Sequence, residues 1–221
     1  MYSDENLEKA KSDVERAVNL YKNILPEAST ALFRFIDDNN FGKKLYFENI
    51  KEIFNTTSNL QNLYKTTIER NMRAAEYFTE YVNISRFAQE YSIGSQVGMN
   101  VSIESLSKSR LNWFMAVNGF VYKTQGNVVK SGVQYNMNLK IEVCDYYDWA
   151  AADEDPMEFP LFLDTTSLGT GQVVILETIN ETTLHDMNKA GIGKNFESYG
   201  SFIVNVSWTK NQNYNEAVIT T

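Results

Sequence analysis

Leu7, Ala10, Val14, Ala17, Tyr21 and Ile24 recur at alternating spacings of three and four, the stripe an amphipathic helix presents to a neighbour. Ser3 reads as its N-cap, with Asp4 and Glu5 favourable in the first turn, and Pro26 as the residue that ends or kinks it. Residues 31–36 predict a second short helix, closed by the turn-rich run 37–40 and Gly42. Leu45, Phe47, Ile50, Ile53 and Phe54 predict a third. A fourth, capped by Ser58, carries Leu60, Tyr64, Ile68, Met72, Ala75, Phe78 and Val82 on one face.

The period changes from 3.6 to 2 near Ser92. Val97, Met99, Val101 and Ile103 alternate with polar residues, and Leu111, Trp113, Met115 and Val117 alternate again, predicting two strands. Asn118-Gly119 is a hairpin signal, with residues 120–123 running back; a bulged continuous strand ending at residues 125–127 fits the same residues. Leu139, Ile141 and Val143 alternate with Lys140, Glu142 and Cys144 in a half-buried strand. Residues 150–160, acidic and twice interrupted by proline, read as a loop. Residues 173–176 suit a short strand or the start of a helix. Thr183 then caps a brief helix with Leu184, Met187 and Ala190 inward and Gly191 at its end. Phe202, Val204, Val206 and Trp208 make the last clear strand. The fold predicted is α+β: a helical bundle over residues 1–92, then a mostly antiparallel sheet with one or two short helices over residues 93–221.

The end of the central strand concentrates chemistry. Asp145, Tyr146, Tyr147, Asp148 and Trp149 follow its last apolar position. Parity places Asp145 on the apolar face if the strand continues through it, and an unpaired carboxylate there costs several kcal/mol. The expectation is therefore that Asp145 is the first residue past the strand, held in a turn, and that Asp148 is the functional carboxylate. Asp148, Asp153, Glu154 and Asp155 are candidate oxygen ligands for Ca2+, although the Asp-x-Asp-x-Asp-Gly loop is missing.

Composition removes several classes of function. The chain has 221 residues and a net charge of −8, from 28 acidic and 20 basic residues. That balance argues against nucleic-acid binding, which depends on cations that neutralise phosphates. One cysteine, Cys144, excludes an intrachain disulfide and a cysteine-based zinc site; one histidine, His185, excludes a multi-histidine centre. The two could form a Cys–His couple with Asp186 as orienting acid, but nothing around Cys144 suggests a nucleophile, and a lone cysteine of this kind reads as structural. Gly191-Ile192-Gly193-Lys194 lacks the further residues of a phosphate loop: position 188 is Asn and position 195 is Asn. No signal segment opens the sequence, and no apolar run is long enough to span a membrane as a helix.

One resemblance is carried by residues 135–208. A strand running into Asp145-Tyr146-Tyr147-Asp148-Trp149, then Leu184-His185 with Ala190-Gly191 and Phe196, then Tyr199-Gly200-Ser201, resembles the C-terminal modules of bacterial secreted polymorphic toxins. The resemblance implies the toxic module of an interbacterial effector, exported by a specialised apparatus without a signal peptide and neutralised by an immunity protein. It carries over no catalytic residues. Because each catalytic motif tested lacks a required residue, the leading expectation is membrane perturbation by a pore-forming, non-enzymatic route with no cofactor. The alternative is a carboxylate- or metal-dependent hydrolase around Asp145, Asp148 and the acids of 153–155; His185 and Asp186 are further catalytic candidates. A non-catalytic binding or structural module is the third reading.

Overall fold

The computed structural model describes residues 4–77, 81–85, 89–92, 107–117, 119–149, 158–163 and 175–221. It is α+β, with helices leading and a largely antiparallel sheet following. The strand expected over residues 97–103, Phe78, and Asp153, Glu154 and Asp155 lie outside the described residues. So does Ser3.

The chain forms two compact units, each drawn from three separate segments. The first comprises Met1–Tyr46, Ser92–Asn118 and Asp145–Ser198. Helix α1 (Asp4–Tyr21) packs on α2 (Pro26–Ile36) and α5 (Glu181–Ala190). Leu7, Val14, Ala17 and Tyr21 are buried along the expected stripe, while Ala10 and Ile24 sit half-buried at its margin. Pro26 does not kink α1; it occupies the first turn of α2, where its fixed φ and missing N–H cost nothing.

Helix α4 (Lys108–Ala116) corrects the strand expected at Leu111–Val117. Residues 111–116 are all buried, so the helix has no polar face to betray its period, and the apolar alternation was a subset of a continuous run. Asn112 ties α4 to the start of α2. Its Oδ1 accepts from the Ala28 N–H at 3.0 Å, and its Nδ2 donates to Glu27. The antiparallel pair β6 (Glu158–Leu163) and β7 (Ile175–Asn180) belongs to this unit, so positions 158–160 of the expected loop are strand, as are positions 175 and 176 of the run at 173–176; the remaining residues of both lie outside the described residues. The Arg16 guanidinium lies 4.3 Å from the centroid of Phe162.

The second unit comprises Phe47–Tyr91, Gly119–Cys144 and Tyr199–Thr221. The third predicted helix is instead the two-residue strand β1 (Leu45–Tyr46) and a 3-10 helix at Ile50–Asn55. Ile50, Ile53 and Phe54 are buried as expected, since a spacing of three suits a 3-10 turn as well. Helix α3 (Ser58–Glu76) is capped one residue earlier than predicted, by Thr57, whose side chain accepts from the Leu60 N–H. It ends before Val82, which belongs to strand β2 (Tyr81–Ser85).

The sheet runs β8-β5-β4-β2, with β3 (Gln89–Ser92) on β4 and β9 (Val218–Thr220) on β8. Strand β4 (Gly119–Ser131) is continuous through Gly126, where an added Cβ would lie 2.4 Å from the Asn138 carbonyl oxygen. A hairpin turn falls at Gly132-Val133, with Ser131 opposite Gln134 and Gly132 at φ 62°; Gly119 opens β4, and Asn118 lies outside the described residues. Strand β5 (Gln134–Tyr147) alternates as predicted, and Tyr135 stacks on Trp208 of β8 (Phe196–Thr209) at 5.0 Å. Phe54 gathers Phe120, Phe202 and Tyr64, with ring centroids 5.8–6.2 Å from its own.

Candidate functional site

The site is the end of β5 in the first unit. The strand does not stop before Asp145; it continues to Tyr147, so Asp145 keeps the parity of Leu139, Ile141 and Val143. Its carboxyl is half-buried, and that desolvation pushes its pKa up to about 7. The Tyr146 backbone N–H, which bonds the carboxylate, opposes the shift, while the negative charge of Asp148 adds to it. Asp148 is exposed, just past the strand.

An aromatic cluster packs against this strand end. Tyr147 is buried, and burial pushes its hydroxyl far above the ordinary tyrosine range, with the Asp145 charge adding to the effect. Its ring stacks on Phe196 at 4.8 Å and meets Trp149 edge-on at 5.2 Å. Phe35 of α2 closes the group, 6.5 Å from Tyr147 and 6.2 Å from Trp149.

The two glycines after α5 serve packing here. Gly191 is the left-handed residue ending the helix, at φ 76°. Gly193 lies against the Phe35 ring, where a Cβ would come within 2.4 Å, and the Lys194 N–H bonds the Phe35 carbonyl at 2.7 Å. The helix N-cap is Asn180 rather than Thr183: Asn180 Oδ1 accepts from the Thr183 N–H at 2.8 Å. Leu184 and Met187 point inward and are fully buried, whereas Ala190 is exposed.

His185 touches the same strand end through its ring Nδ1, 2.7 Å from the Trp149 carbonyl oxygen. A carbonyl only accepts, so Nδ1 carries the proton. Nε2 is buried without a hydrogen-bond partner among the described residues. Asp186, beside it on α5, is half-buried. Cys144 is half-buried, opposite Val121 in the β4–β5 register. Among the described residues no cluster of three His, Cys, Asp or Glu side chains is placed to hold a metal ion, and no helix is long and apolar enough to cross a membrane.

Sequence reasoning named Asp145, Asp148 and His185 but not what surrounds them. Phe35 and Phe196 appeared there only as apolar or motif positions. A histidine bonding a backbone carbonyl 36 residues away leaves no mark in a sequence.

No protein-family model matches the chain, and no curated protein matches it. Among solved structures, it is similar to PaeM, a colicin M-like bacteriocin produced by Pseudomonas aeruginosa, at a TM-score of 0.39 and 15% identity. The likeness covers 84% of this chain and 52% of that one, so this chain spans about half the length of PaeM.

Proposed function

We propose that this chain is the toxic module of a bacterial competition toxin and that it acts as a carboxylate-dependent hydrolase. The toxin assignment rests on the sequence resemblance over residues 135–208. The hydrolytic assignment rests on one observation: a strand-borne aspartate, half-buried two residues before the buried Tyr147, whose proton affinity sits near neutrality with a second carboxylate three residues on. A carboxyl titrating near pH 7 can deliver or accept a proton at the pH of most cellular compartments. Asp145 takes the acid–base role and Asp148 that of the exposed second carboxylate, the reverse of the assignment expected from sequence. Export by a specialised apparatus and neutralisation by an immunity protein belong to the same reading.

The test compares wild type with Asp145→Asn for growth inhibition on expression in a bacterial host, alongside dye release from liposomes. The hydrolase reading expects inhibition to vanish in the folded Asp145→Asn protein, with no dye released by either. Dye release by both proteins would instead support membrane perturbation.

A further inference from the structure

Helix α5 is held to the rest of its unit at several points. Its N-terminus is closed by Asn180, which accepts from both the N–H and the hydroxyl of Thr183, at 2.8 and 2.9 Å. Leu184 and Met187 fasten its inner face. Beyond its C-terminus, Gly193 and Lys194 meet the ring and carbonyl of Phe35, whose ring packs on Tyr147 and Trp149. From this fixed helix, His185 reaches out and donates Nδ1–H to the Trp149 carbonyl. That carbonyl belongs to the residue directly after Asp148.

We propose that His185 is a positioning residue: by holding the Trp149 carbonyl it fixes the strand-end backbone that carries Asp145 and Asp148, so that the carboxylates work as a pair only while α5 is docked. The inference rests on the reading of those two aspartates as the working groups. The state of the second ring nitrogen supports it. Stability alone disfavours a buried imidazole with Nε2 unbonded, because a buried polar atom without a partner is destabilising. The residue is suited to orienting a backbone group rather than to maximising fold stability.

The chain has one histidine, so the imidazole nitrogens of the intact protein give a single, unambiguous NMR signal set. The expected tautomer is protonated on Nδ1; a ring protonated on Nε2 alone would overturn the proposal without any variant. His185→Asn keeps an amide N–H close to the Nδ1 position, whereas His185→Leu keeps bulk and loses the donor. The leucine variant is expected to lose growth inhibition by about 100-fold, the scale of a misplacement near 1 Å at a reacting group. Its Asp145 carboxyl, followed by carbon-13 NMR, is expected to titrate closer to the ordinary carboxylate range as the strand end loosens. The asparagine variant is expected to stay close to wild type in both. A folded, fully inhibitory His185→Leu protein sinks the positioning role alone. A fully inhibitory Asp145→Asn protein sinks the reading beneath it.

Discussion

The ring of Tyr147 lies nearly flat on that of Phe196, with centroids 4.8 Å apart and planes 16° from parallel. The same tyrosine comes two residues after Asp145, and its own titration feels the Asp145 charge. The stack therefore helps set how much water reaches the carboxyl. Phe196→Ala should cost about 3–5 kcal/mol, the range for emptying a buried phenylalanine site. A calorimetric melt should fall by roughly 10 °C, at about 2–4 °C per kcal/mol for a chain of this size. The Asp145 midpoint should drop with it, as the cavity admits solvent.

Asp145 gives the fold a pH dependence of definite sign. The folded chain holds this proton to about pH 7, whereas an unfolded aspartate releases it near pH 4. Between those values the folded state binds more protons, so stability is greatest at the acid end and declines as pH rises through 7. The contribution is on the order of 2–4 kcal/mol, allowing for the water that still reaches a half-buried group. Asp145→Asn mimics the protonated acid. It should match wild type near pH 3, below the unfolded pKa, and melt several degrees higher at pH 8, while losing activity. Equal melting curves at pH 8 would mean that the carboxyl is not desolvated.

Asp148 acts on Asp145 through charge and is itself exposed. Asp148→Asn should therefore leave stability within about 0.5 kcal/mol of wild type at acid pH, as surface changes do. It should also lower the Asp145 midpoint measured by carbon-13 NMR. An unmoved midpoint would show that the two carboxylates do not sense one another.

Gly193 is the most restrictive position after α5. A methyl group there would meet the Phe35 ring at 2.4 Å, so Gly193→Ala must displace the ring or the turn. Overpacking of this kind costs about 1–3 kcal/mol. Gly191→Ala meets no neighbour but strains a left-handed backbone, at about 1 kcal/mol. Chemical denaturation of the two variants should rank Gly193→Ala as the less stable.

Strand β5 was legible because one face is buried from Tyr135 to Val143, which imposes strict alternation there. Its true end was not, since Asp145 breaks the apolar pattern while keeping its parity. Helix α4 was misread because burial on all sides erases amphipathicity. Helix α5 was legible in its inward residues Leu184 and Met187 and in Gly191, but its cap lay three residues earlier than Thr183. The aromatic cluster joins Phe35, Tyr147, Trp149 and Phe196, whose spacing follows no local periodicity, so only the tertiary fold brings them together.

The two hydrogen bonds of Asn112 close loops of 84 and 85 residues back to Ala28 and Glu27. During synthesis, α2 therefore emerges long before the residue that completes its first turn. A chain arrested before α4 would carry α2 with these contacts unmade, and closing so long a loop is entropically slow. The first unit, spread over three segments, should thus acquire its native packing only after most of the chain exists.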